Sequence, residues 1–164
     1  MASSAVGSAG NISPDFARFK QLYDALHSIN QIVIRSKTAD QLLADVCRAA
    51  VTEGGFQIAW VGWHDEANRQ IIPVAQFGDH DGFLDNISVS SDDQPQGKGP
   101  TGLALKTGKT IICNDYLTDP STQFWRERAN LRGIRASAAF PIRLFLKGAR
   151  GDHDLCPGSG VFPV

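Results

Sequence analysis

Gly97-Lys98-Gly99-Pro100-Thr101-Gly102-Leu103-Ala104, continuing through Thr107-Gly108-Lys109-Thr110 to Asn114-Asp115, is the stretch whose reading decides the fold. Its three glycines at alternating and then wider spacing let backbone approach backbone, and Pro100 suits the first turn of a helix. A short helix over 101–107 follows, closed by Gly108. The β-branched pair Ile111-Ile112 then reads as a strand over 110–113. Gly108-Lys109-Thr110 looks like the end of a phosphate-binding loop, but the position that loop needs as glycine is Leu103. A strand, not a helix, also follows it, so no helix N-terminus is available to hold a phosphate there. The 97–102 loop before the short helix is better placed for a carboxylate or phosphate. The alternative is that its glycines only permit a tight turn.

A second stretch extends the pattern. Gly133-Ile134-Arg135-Ala136-Ser137-Ala138-Ala139-Phe140-Pro141-Ile142 reads as a helix stop followed by a strand over 136–145. Together the two stretches resemble the Gly-x-Gly-x-x-Gly…Thr-Gly…Asn-Asp core and the following Gly-x-x-Ser…Pro-Ile strand of GAF domains, sensor modules of bacterial signalling proteins. The resemblance runs from about residue 22 to 147. It implies an α+β fold, GAF- and PAS-like: an antiparallel sheet with long helices on one face. Short helices and loops cover a ligand cavity on the other.

The flanking sequence fits that architecture. Ser13 caps a first helix with Pro14 in its first turn, and Thr38 caps a second over 38–53 that Gly54-Gly55 ends. Residues 56–64 alternate as a strand with apolar side chains on both faces: Phe56, Ile58 and Trp60 on one, Ala59, Val61 and Trp63 on the other. A polar turn at 65–69 leads into a second strand over 70–78, making a hairpin. Pro73 removes a backbone donor there, which puts it at an edge or a bulge. Residues 78–86 form a loop or short helix, Ile87 and Val89 a short extended piece, and 123–132 a helix ended by Gly133.

The first helix carries Phe16, Phe19, Tyr23, Leu26, Asn30 and Val33 at steps of three and four, the seam spacing of paired helices. A second stripe, Leu22, Leu26, Ile29 and Val33, suits packing on a sheet. Both readings stand: a helix packed on its own domain, or one that pairs with a second copy in a homodimer.

The 164 residues suffice for one domain with a core. A formal net charge of -1 gives no electrostatic reason for a nucleic-acid partner, and no apolar run suits a membrane span. Residues 1–12, rich in Ala, Ser and Gly, read as a disordered lead-in. Cys47, Cys113 and Cys156 are too few and too scattered for a disulfide framework, which points to free thiols in the cytoplasm. Cys47 reads as a small buried hydrophobe. His27, His64, His80 and His153 lack metal-ligand spacing, and His64 is expected in an exposed turn.

The expected cavity collects Trp60, Gly99, Thr101, Gly102, Asn114, Asp115, Trp125, Arg135 and Ser137, with Tyr116 and Phe124 nearby. The resemblance sets out what it could hold. Relatives that attach a bilin carry His beside the cysteine, whereas Asn114 follows Cys113, which argues against a bilin. His80 near the cavity is a lone imidazole, so a haem is not expected. The Asn-Lys…Phe…Asp-Glu signature of cyclic-nucleotide-binding relatives is missing. Relatives that reduce methionine sulfoxide carry cysteines around the Gly-rich loop, where this chain has Pro100-Thr101. A small-ligand-sensing or dimerising module, with its output domain elsewhere, is the expectation. The alternatives are a thiol-dependent reductase using Cys113, and a structural dimer module without ligand.

After Lys147 the resemblance stops. The family pattern continues with another strand and a helix, but residues 148–164 carry many breakers and no period-2 pattern. One permitted back-translation, read one base later, gives Val-Leu-Gly-Ala-Ile-Met-Thr-Phe, which looks like the missing strand. The expectation is therefore a GAF-like domain over 13–147, truncated or frameshifted, with an irregular or weakly paired tail and low stability.

Overall fold

In the computed structural model the described residues are 13–142, together with the backbone of 158–163. The lead-in at 1–12 and the segments 143–157 and 164, with Cys156 and His153, lie outside them. Two helices come first: α1 (Pro14–Arg35) and α2 (Ala39–Thr52). The hairpin β1 (Ala59–Asp65) and β2 (Gln70–Phe77) follows, then β3 (Val89–Ser90), a 3-10 turn at Pro95–Gly97, α3 (Pro100–Thr107) and β4 (Ile111–Cys113). A 3-10 segment (Pro120–Trp125) runs into α4 (Arg126–Leu131), and β5 (Ser137–Ile142) and β6 (Gly158–Pro163) complete the order. The strands form one antiparallel sheet ordered β3-β2-β1-β6-β5-β4.

Local chemistry explains the helix boundaries. Ser13 and Thr38 accept the amides of Phe16 and Gln41 at 3.2 Å each, satisfying donors that the helices leave open. Gly108 and Gly133 take positive φ, +64° and +69°, as αL stops where a side chain would be strained.

The sheet separates two cores. On one face α2 packs Leu43, Cys47 and Ala50 against Ala59 and Val61. On the other, Ile58, Trp60, Ile71 and Val89 meet Ala104 of α3, Trp125, Ala129 of α4, Ile134 and Ala139. The strand begins at Ala59 rather than residue 56. Phe56 leaves the expected alternation because Gly54-Gly55 turns the chain so that its amide bonds Ala50 O and its ring packs on the α2 side. Pro73 sits opposite Gly62 at a register shift in the hairpin, past the residues that β3 pairs with, a place that suits a residue without a backbone donor.

Two expectations are corrected. The tail is not irregular throughout: Gly158–Pro163 fills the slot between β1 and β5, pairing Gly62 with Ser159 and Trp60 with Val161, and Ser137 with Pro163 through Ile142 with Gly158. Two open ladders face that slot, and occupying it satisfies both, which outweighs the breakers; Pro163 lies at the strand end. Trp60 is consequently 2% exposed, while Phe140 points to the opposite face. His64 lies in β1, half-buried, with Nε2 2.8 Å from Ser91 Oγ.

Of α1, only Ala25 is buried. Phe16, Phe19, Tyr23, Leu26 and Val33 are all exposed, as is Asn30. Leu22, Leu26 and Ile29 border an apolar groove with Ala50, Phe56 and Phe140. Among the described residues, no helix is long and apolar enough to cross a membrane.

Candidate ligand-binding site

A cavity lies on the sheet face away from α1 and α2. Trp60 of β1 and Val89 of β3 form its floor, and Gly99, Pro100 and Thr101 at the start of α3 form one wall. Trp125 and Tyr116 form another, and Phe83 and Ile87 come from the loop before β3. Its free volume is about 20 Å³, room for roughly one water.

Close backbone approach shapes the wall. A side chain on Gly99 would stand inside the Trp125 ring, with a Cβ 2.6 Å from Cη2 and nearer still to Cζ3. Gly102 lies instead against the backbone of Gly97 and Ser90, so its absent side chain serves loop packing rather than the cavity. Lys106 pins the same loop from outside, donating to the Asp92 carbonyl and to Asp93 Oδ1 at 3.0 Å.

The 78–87 loop is held by bonds that run to its backbone. Asp79 accepts the amides of Phe83 and Leu84 at 2.6 and 2.7 Å. From α4, Arg128 donates to Phe83 O at 3.0 Å, and Arg132, at its C-cap, donates to Asp81 O at 2.8 Å. The loop turns through Gly78 and Gly82 at positive φ.

The structure brings Trp60, Gly99, Thr101 and Trp125 together at the cavity, with Tyr116, but not the other expected site residues. Asn114 and Asp115 are exposed; Asp115 caps a turn, accepting Leu117 N at 3.1 Å. Arg135 is exposed and donates to Asn130 Oδ1 at 3.0 Å, so its partner is a neighbouring surface side chain. Ser137 is buried on the cavity side of β5, but it does not line the cavity and its hydroxyl has no partner among the described residues. Phe124 is exposed and meets Trp125 edge-on, ring centroids 5.3 Å apart. His80 is exposed and off the lining. Sequence reasoning missed Phe83, Ile87, Val89 and Pro100 as lining residues. The available signal was a large aromatic directly after a loop glycine, Gly82-Phe83, which a polar surface loop buries.

The cysteines are quiet. Cys47 is fully buried and burial pushes its thiol up to about 11. Burial, with Asp119 adding repulsion and accepting its proton, pushes Cys113 to about 11 as well. Burial also holds the Tyr116 phenol in its protonated form. Among the described residues, no group of three His, Cys, Asp or Glu is placed to hold a metal ion.

A family model, described as a GAF domain, matches residues 36–149, more than half of the chain. The chain belongs to the GAF domain family. GAF domains are typically sensory or regulatory modules. Solved structures share the GAF fold at low identity. The GAF domain of A. aeolicus nlh2 in an inactive state is 14% identical, with 90% of this chain and 81% of that one covered and a TM-score of 0.65. A free methionine-R-sulfoxide reductase from Neisseria meningitidis, in complex with its substrate, is 16% identical, covering 96% and 80%, with a TM-score of 0.66. The GAF domain of a phosphoenolpyruvate-protein phosphotransferase from Coxiella burnetii is 15% identical, covering 92% and 79%, with a TM-score of 0.60. A comparison with curated protein sequences returns no match.

Proposed function

We propose that this GAF domain is the ligand-sensing, dimerising module of a cytoplasmic bacterial signalling protein. It would regulate an output module such as a histidine kinase or a GGDEF/EAL-type enzyme. The observation that carries the reading is the division of labour across the sheet. An aromatic cavity lies on one face, and the exposed apolar stripe of α1 borders the other. A ligand that favours one state of the cavity wall shifts the population of α1 arrangements, and α1 of a second copy reports it. Native mass spectrometry of protein purified from its own host tests this. A dimer carrying a small molecule is expected; a bare monomer overturns the reading.

The small free volume favours one other reading, a dimer module with a closed cavity, for which the same spectrum would show a bare dimer. A thiol-dependent reductase centred on Cys113 has less support, because its thiol is buried and stays protonated at neutral pH.

A further inference from the structure

The chemistry of the cavity wall selects a class of ligand, an inference that rests on the sensor reading above. Among the described residues, the lining contains no Asp, Glu, Lys, Arg or His. Four rings, those of Trp60, Phe83, Tyr116 and Trp125, dominate it, with hydrocarbon from Ile87 and Val89. Among these residues an anion would surrender its hydration with no cation to replace it, and a cation would find no carboxylate. The polar groups on offer are neutral. The Thr101 amide opens α3 ahead of its first i→i−4 bond, from Leu103 N to Gly99 O, and so has no intrahelical acceptor. The Nε1–H of Trp125 is buried and has no acceptor among the described residues. Both are donors. One helix N-terminus supplies only partial charge, too little to hold a fully dehydrated anion against aromatic walls.

We propose that the ligand is an uncharged, planar molecule bearing a hydrogen-bond acceptor, such as an aromatic amide, and not a phosphate, nitrate or carboxylate. Flat rings stack between the aromatic walls, and an acceptor meets the unpaired donors. The free volume admits no such molecule without movement of the wall. Entry would require the 78–87 loop carrying Phe83 to shift against its hydrogen bonds from Arg128 and Arg132.

Benzamide and benzoate have nearly the same shape and differ in charge, so they separate the classes. Trp63 is the one tryptophan of three that does not line the cavity. In a Trp63→Phe background, emission excited at the red edge comes from the cavity rings alone. Titration at neutral pH is expected to give a saturable change with benzamide and at least tenfold weaker binding of benzoate. Equal or tighter binding of benzoate overturns the proposal and leaves the sensor reading standing. Binding of neither probe also overturns the proposal; the sensor reading falls with it only if protein from the native host retains no small molecule.

Discussion

Replacing Gly99 with alanine tests the cavity wall at its tightest point. The backbone there, φ −72° and ψ 171°, accepts any L-residue, so no strain arises from the main chain. The effect is steric: the new Cβ would stand 2.6 Å from Trp125 Cη2 and 3.2 Å from Cε3. The indole is 6% exposed, with Phe124 edge-on beside it, so its escape displaces neighbours. Overpacking of this kind costs about 1–3 kcal/mol. Alanine is also a poorer N-cap than glycine, by a few tenths to about 1 kcal/mol, while the stiffer unfolded chain returns about 0.4–1 kcal/mol. The net loss is about 1–3 kcal/mol, or roughly 3–10 °C in Tm for a domain of this size. Differential scanning calorimetry and near-ultraviolet circular dichroism of the Trp63→Phe protein read both stability and ring placement. Gly133→Ala is the control. Among the described residues nothing lies within 4 Å of its Cβ, but its φ is +69°, so it should lose stability with an unchanged tryptophan spectrum. Unchanged Tm and spectrum for Gly99→Ala would refute the close packing of loop on indole.

Other outcomes follow from single contacts. Phe19→Glu with Tyr23→Glu, at positions 65% and 60% exposed, should leave the fold intact and give monomers by light scattering; an unchanged dimer would count against α1 as the interface. Ile134→Ala, at a fully buried site, should cost about 2–5 kcal/mol in a denaturant titration, and a loss below 1 kcal/mol would contradict its core position. Hydrogen bonds from the Ser121 hydroxyl and amide hold the Asp119 carboxyl below the usual carboxylate range. The folded state therefore binds that proton less tightly than the unfolded one. The resulting stability is fully present above the unfolded pKa, near 4, and is lost as pH falls through the lower folded value. Asp119→Asn should flatten that acid-side slope, and an identical slope would show that Asp119 does not contribute. In a Cys156→Ser background, Cys47 and Cys113 should resist a thiol reagent until the protein unfolds, and rapid native labelling of Cys113 would revive the reductase reading.

The parts of the fold legible in the sequence are those that short-range chemistry dictates. Ser13, Thr38, Gly108 and Gly133 mark helix ends because capping and αL geometry act within a few residues. The hairpin and the Pro73 irregularity were readable for the same reason. What failed depended on tertiary context. The β6 slot is decided by the open ladders of β1 and β5, not by the propensity of a Gly- and Pro-rich tail. In the site, Gly99 lies directly against the Trp125 ring, where close backbone approach needs a residue without a side chain, whereas Gly102 packs on the Gly97 and Ser90 backbone. Asn114, Asp115 and Arg135 carried motif positions, yet they point to solvent; Asp115 caps a turn and Arg135 bonds Asn130. Polar residues in a motif serve turns as readily as ligands, and spacing does not distinguish the two.

Hydrogen exchange compares most directly the two faces that the account couples. Protein purified from its own host would be measured beside the same protein stripped of small molecules by unfolding and refolding. The account predicts slower exchange in the purified form at residues 78–90 and 97–102, accompanied by altered exchange along α1. Identical exchange in the two preparations, or protection at the cavity with α1 unchanged, would contradict it.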